Sequence, residues 1–292
     1  MCNVKCEIIH YSLHISHSTL IMRHPERRSL EGSRPKVESM QCSFVRFFTI
    51  VLLGAVCCFA NKDLAFADSC YKSRAVRAVG DKADKKNAEA MIAAYRRAQK
   101  DSTVAEKATE GLVKSLYFSF RFVPFEKNQR KQKLDSLKTI SENAYNRYPK
   151  NKQISHIYAA SISMWGAEKN PLAAVKDGVA AKVRDVATAT KNYQVLGRAH
   201  QLLPHIPIIL SWPDKELADK YLNMALKQDP ADLYNYFFLA ELRFDQKKYD
   251  ETQKLIDKGL ARGVRKDYVL EDKRARWHLK ELQKKLNAKL GK

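Results

Sequence analysis

Residues 215–260 read KELADKYLNMALKQDPADLYNYFFLAELRFDQKKYDETQKLIDKGL, and a recurrence inside this stretch decides the fold. Ala218, Leu222, Ala225 and Leu226 return 34 residues later as Thr252, Ile256, Gly259 and Leu260. Spacings of three and four put each set on one face of a helix. Between the two sets, Pro230 ends the first helix, and Tyr236-x-x-Leu239-Ala240 opens another with a large aromatic, an aliphatic and a small residue on one side. A period of this length marks a supersecondary unit that buries its apolar face only by stacking on its neighbours. Small residues at Ala225, Ala240 and Gly259 let backbones approach, while Leu222, Tyr236 and Leu239 fill the spaces left between helices.

Working outward, the same opening occurs as Tyr193-x-x-Leu196-Gly197, 43 residues before Tyr236, so this unit holds nine extra residues. LLPHIPIILSWPD at 202–214 accommodates them. A degraded third unit places Ala144, Pro149, Tyr158 and Ala159 in the corresponding positions. Further upstream, 84–122 reads as one more helix pair, with Val104, Ala108, Leu112, Leu116 and Phe120 on one face; its register stays open. Breakers at Pro124, Pro149, Pro171, Pro204, Pro213, Pro230 and Gly263 bound helices throughout, and no strand run appears. At the far end, Ala275, Leu279, Leu282, Leu286 and Leu290 form one narrow apolar stripe on an otherwise charged segment, the pattern of a terminal cap. The expected fold is all-α: a tetratricopeptide-like, right-handed stack of antiparallel helix pairs over 84–265 with a cap helix over 266–292. An unrelated helix bundle is the alternative.

The first part of the chain reads as addressing. From Met40 come a short segment with Arg46, an apolar run from Phe47 to Ala60, and an A-x-A site at Ala65, Phe66 and Ala67. That order is a secretory signal over 40–67, with cleavage before Asp68 and a flexible linker over 68–83. The 14-residue apolar run would reach about 21 Å as a helix, short of a bilayer core of roughly 30 Å, so an uncleaved anchor is the weaker reading. Val56 before Cys57 is poor for lipidation. Residues 1–39 read as an upstream segment called with too early a start, or as disordered chain. Within them Cys2, Cys6, His10, His14 and His17 share one helical face, a pattern of metal ligands in a segment with little helix support.

Composition narrows the partners. Lysine and arginine number 53 against 32 acidic residues, a formal charge of +21 that favours anionic partners or surfaces. With 29% charged residues and a mean hydropathy of -0.47, a polytopic membrane protein is excluded. Residues 262–292 hold 11 basic and 4 acidic residues, enough for a positive helix face, yet no nucleic-acid motif accompanies them. No phosphate loop, nucleophile elbow or metal-ligand spacing stands out after the signal, where the histidines are His156, His200, His205 and His278. No cofactor, metal site or catalytic residue is assigned. The expectation is a non-enzymatic binding protein; the alternative is an enzyme, or enzyme subunit, with a site in the 202–214 insert beside His200 and His205.

VLGRAHQLLP, the proline-containing insert, DKELADKYLNMALKQDP and YNYFFLAEL together resemble the T-component of bacterial TRAP transporters, exported tetratricopeptide proteins that accompany periplasmic solute-binding proteins. The resemblance is best across 190–260. More distantly, the same features are similar to the repeat domain of eukaryotic regulator of microtubule dynamics proteins. The T-component resemblance implies a periplasmic accessory that binds a partner protein, such as a solute-binding protein, and performs no chemistry; membrane attachment would follow only from an uncleaved or lipidated N-terminus. In tetratricopeptide arrays the first helix of each pair lines a concave groove. Counting from Tyr193 and Tyr236 as fourth positions gives Lys191, Gln194, Arg198, Tyr234, Phe237 and Glu241, to which the degraded unit adds Gln153 and His156. This set suits an extended peptide or a small acidic ligand, with Arg198 as anion clamp or else paired with a neighbouring acid. Ile206, Ile209, Leu210 and Trp212 make the insert strongly apolar. It is expected to meet another chain, a second copy included, or to be buried within its own.

Overall fold

The structure is a computed structural model that describes residues 61–168, 177–208 and 210–291. Among these residues lie eleven α-helices and no strand: α1 Lys62–Lys72, α2 Lys85–Ala98, α3 Ala105–Phe122, α4 Arg130–Arg147, α5 Lys152–Ala167, α6 Val179–Ala189, α7 Tyr193–Leu202, α8 Lys215–Gln228, α9 Leu233–Asp245, α10 Tyr249–Leu260 and α11 Val269–Leu290. The described residues are all-α, as the periodicity predicts. The upstream Cys2, Cys6, His10, His14 and His17 lie outside the described residues.

Short polar residues start most of these helices. Asn61, Asp84, Asn151, Asn192, Asp214 and Asp232 each accept a backbone N–H from the first turn of the helix that follows. Such a cap satisfies a donor that the helix itself leaves unpaired. Each helix then packs on the next in sequence, and contacts also link α1 with α3, α3 with α5, α7 with α9, and α9 with α11. The odd-numbered helices thus form an inner layer and the even-numbered helices an outer one. Burial follows the same division: in α9 every residue from Leu233 to Arg243 is buried, whereas α8 and α10 each bury only a narrow stripe.

Backbone approach is closest where the sequence places glycine. A Cβ on Gly197 would sit 2.6 Å from Leu222 Cγ, and one on Gly259 would sit 2.7 Å from Leu279 Cδ1. Real Cβ atoms do not come that close; at Gly197 the Leu222 backbone nitrogen also stands 3.0 Å away, so α7 against α8 requires glycine, whereas at Gly259 the near atom is the end of a leucine side chain that can turn aside.

Two regions depart from the sequence reading. The linker expected over 68–83 is ordered: α1 runs to Lys72, Arg74 is buried, Val79 and Lys82 bridge, and the Ala83 amide donates to the Phe122 carbonyl at 2.8 Å. The expected signal boundary at Ala67 falls inside α1, where Leu64 and Ala67 are buried against α2 and α3. Alanines read as a processing motif are equally good helix formers with a small face, and here that face packs.

The layers curl until the last helix meets the first described helices. Leu270 of α11 belongs to the apolar cluster of α1, α2 and α3. Arg74, after α1, pairs with Glu271 at 3.1 Å, and Arg274 pairs with Asp81 at 2.7 Å. Farther along α11, Ala275, Leu279, Leu282 and Leu286 are buried in the α8–α11 cluster, while Leu290 is largely exposed.

Candidate functional site

The residues assigned to a groove from sequence are brought together on α7 and α9, but on the inside of the closed array. Arg198 Nη1 donates to Glu241 Oε2 at 2.7 Å and to Gln201 Oε1 at 2.6 Å, and its guanidinium lies 4.4 Å from the Phe238 ring centre. It is 2% exposed. Burial lowers its pKa from the usual arginine value while Glu241 acts against that shift. The acid that satisfies Arg198 is therefore the protein's own. Tyr234, fully buried, accepts from Arg121 Nη2 of α3 at 2.8 Å. Phe237 stacks on His278 of α11 with ring centres 4.9 Å apart. Gln194 donates to Asp232 and Asn235, and burial pushes the Asp232 carboxyl up to about 7 against the pull of Arg265 and the Tyr234 amide. The groove face is covered by α3 and α11, so in this form these side chains are core.

The other groove positions stand apart. Gln153 and His156 are half-buried on α5, one turn from each other, and burial lowers the His156 pKa against a backbone hydrogen bond at Thr190. Lys191 is exposed in the turn before α7 with φ of 54°.

The apolar insert divides. Ile206 and Leu210 exchange backbone hydrogen bonds across a tight loop; Leu210 is buried, and Ile208 at the tip is 99% exposed. Half-buried Trp212 meets His200 edge-on at 4.9 Å. His200 Nδ1 accepts the Asp214 amide at 3.0 Å, which ties the insert's end to α7. Burial lowers the His200 pKa, opposed by Asp214. Ile209 lies outside the described residues.

An open cleft of about 670 Å³ lies where α1–α3 meet the α8–α9 turn and the approach to α11. One wall comes from α1–α3, with Tyr71, Arg74, Glu110 and Lys114; the other comes from the α8–α9 turn and the approach to α11, with Asp229, Arg265, Asp267 and Tyr268. Arg74 is committed to the wall itself: it donates to Glu271 and to the Tyr71 and Asp267 carbonyls. Lys114 is not locked in this way. Its ammonium stands 3.6 Å from Glu110 and 4.8 Å from the Tyr71 ring centre, with its side chain 12% exposed. Burial, and then the charge of Arg74, lower its pKa; Glu110 acts in the opposite sense.

No family model and no curated protein matches the chain. Among the described residues no group of three or more histidine, cysteine or carboxylate side chains is arranged to hold a metal ion, and no helix is long and apolar enough to cross a membrane. Lys114, Tyr71 and Asp267 escaped the sequence reading because they lie in segments whose repeat register is open or that were read as linker and cap. The signal that could have found them is the lysine in Leu112-Val113-Lys114-Ser115-Leu116, a cation within an apolar run.

Proposed function

We propose that the chain is an exported, non-enzymatic scaffold of tetratricopeptide-like helix pairs, a periplasmic accessory of the TRAP-transporter kind that docks a solute-binding protein. The observation that carries this reading is the inner and outer layering of consecutive helices, with glycine at Gly197 and Gly259 where neighbouring helices touch. Those are the positions that the recurrence of Leu222 as Ile256 and the Tyr-x-x-Leu-small openings assign to close contact. Because the groove face is covered by α3 and α11, the partner docks on an outer surface. The insert tip offers one: Ile208 is fully exposed on a loop anchored by Leu210 and Trp212. His200 and His205 serve this loop, since His205 Nδ1 lies 3.3 Å from the Pro213 carbonyl and His200 accepts the Asp214 amide. That use favours anchoring over catalysis.

If the signal is cleaved, the cut falls upstream of α1. Cutting at Ala67 would strip Leu64 and Ala67 from the core, whereas Cys58-Phe59-Ala60 ends in a small residue just before the cap Asn61. The intact mass of natively expressed protein checks this reading, with a start at Asn61 expected. Cytosolic protein retaining Met1 would contradict it. Co-purification of a solute-binding protein from an envelope extract, lost on Ile208→Asp, tests the docking surface. Capture unchanged by that substitution would remove the insert from the account.

A further inference from the structure

The cleft between α1–α3 and the α8–α11 region has walls of opposite character. The α1–α3 wall carries four cations (Lys72, Arg74, Lys107, Lys114) against two carboxylates (Asp68, Glu110). The facing wall carries two carboxylates (Asp229, Asp267) against one cation, Arg265. Arg265 lies 2.7 Å from Asp272 and 3.5 Å from Asp232 through Nη2, and its Nη1 reaches Asp229 at 3.9 Å, so Asp267 is the carboxylate of this wall without an ion pair to Arg265. The cleft thus presents a positive side and a negative side across a space within the range of small-ligand pockets. At its positive side Lys114 has three N–H donors and, at 3.6 Å, only a loosely held carboxylate. A desolvated ammonium gains most from an acceptor that arrives with its own negative charge. The carboxylates opposite oppose a polyanion, which would have to lie against both Asp229 and Asp267. The Tyr71 and Tyr268 rings between the two sides already carry Arg74 and Arg265, each 4.5 Å from a ring centre, and so hold the cations of the walls in place.

We propose that this cleft binds a small zwitterion of the amino-acid class, free or as a short peptide, with its carboxylate on Lys114 and its ammonium toward Asp267. The site is separate from the partner-docking reading and stands or falls without it. A ligand lying across the cleft touches both ends of the array, so binding also holds the ends together. The lowered pKa of Lys114 agrees with an ammonium short of acceptors.

Isothermal titration of the full chain with each common amino acid and with alanyl-phenylalanine tests the proposal. Saturable binding of at least one is expected, weakened roughly tenfold or more by Lys114→Gln and by Asp267→Asn, in line with the loss of a charge-assisted contact. Asp267 is exposed and gives Arg74 only its carbonyl, so Asp267→Asn keeps the fold even if Lys114→Gln does not. N-acetylation or methyl esterification of the ligand that binds, each removing one charge, is expected to weaken it by a similar factor. Lys133→Gln, in the separate cleft between α2, α3 and α4, leaves binding unchanged. Absence of saturable binding by every probe overturns the proposal. So does equal binding by the charge-blocked ligands, or a loss in Lys133→Gln as large as that in Asp267→Asn.

Discussion

Arg198 shows how one residue type supports two opposite readings. From sequence it stands at a groove position and invites a ligand carboxylate; in the fold it is 2% exposed and its carboxylate partner is Glu241. Removing one member of a buried ion pair leaves the other charge unpaired, at a cost of about 3–5 kcal/mol, whereas replacing both by apolar residues is often neutral. Arg198→Ala is therefore expected to lower unfolding stability in urea by about that amount, and Arg198→Met with Glu241→Leu to recover most of it. Equal losses in the single and double variants would show that the pair is not a unit. His278 gives a second test at this scale. Burial first, then the charges of Arg274, Arg121 and Arg198, lower its pKa to about 3. A base whose folded pKa lies below its unfolded value of about 6.5 leaves the unfolded chain holding the extra proton in between, so its contribution is full above pH 6.5 and falls on acidification toward pH 3. Between pH 7 and 5 this amounts to about 2 kcal/mol. Asp232, raised to about 7, acts in the opposite sense over much of the same window, so the quantity to measure is the difference between wild type and His278→Gln. The wild type is expected to lose more stability than the variant on going from pH 7 to 5, and an identical loss would contradict the burial of a neutral His278.

At the scale of the helix, the legible part was the pattern that local chemistry writes. Cap residues such as Asp214 and Asp232, breakers such as Pro204 and Pro230, and the 34-residue return of Leu222 as Ile256 each announce a helix start, stop or contact. Gly197 is the sharpest case, since its place after Leu196 marks a point where two backbones meet. Gly197→Val would drive two methyl groups into Leu222, and a loss of about 1–3 kcal/mol or more is expected from such overpacking. Thermal unfolding followed by circular dichroism checks it, and an unchanged midpoint would mean that α7 and α8 do not touch there. What stayed illegible was α1. Its alanines carry the same letters as a cleavage site, and nothing local distinguishes a small residue that packs from one that a peptidase recognises. In the fold Leu64 and Ala67 are buried with residues of α2 and α3, a contact that no local pattern announces.

For the whole molecule, the sequence pointed to an open groove and the structure has a closed one, because curvature is a sum over many small helix-to-helix rotations that no single residue encodes. The contacts that close it join positions 197 residues apart, as in Arg74 with Glu271. They turn the groove residues into core and create the charged cleft at the junction. Lys114, Tyr71 and Asp267 meet nothing in sequence that would have paired them. The last helix thus seals the array onto its first helices. A double-mutant cycle of Arg74→Met and Glu271→Gln, read by urea unfolding of the full chain, tests it most directly. The closed array predicts a coupling energy of about 1–3 kcal/mol between these positions, as for residues within one buried network. Strictly additive losses in the two single variants, with no coupling, would contradict it.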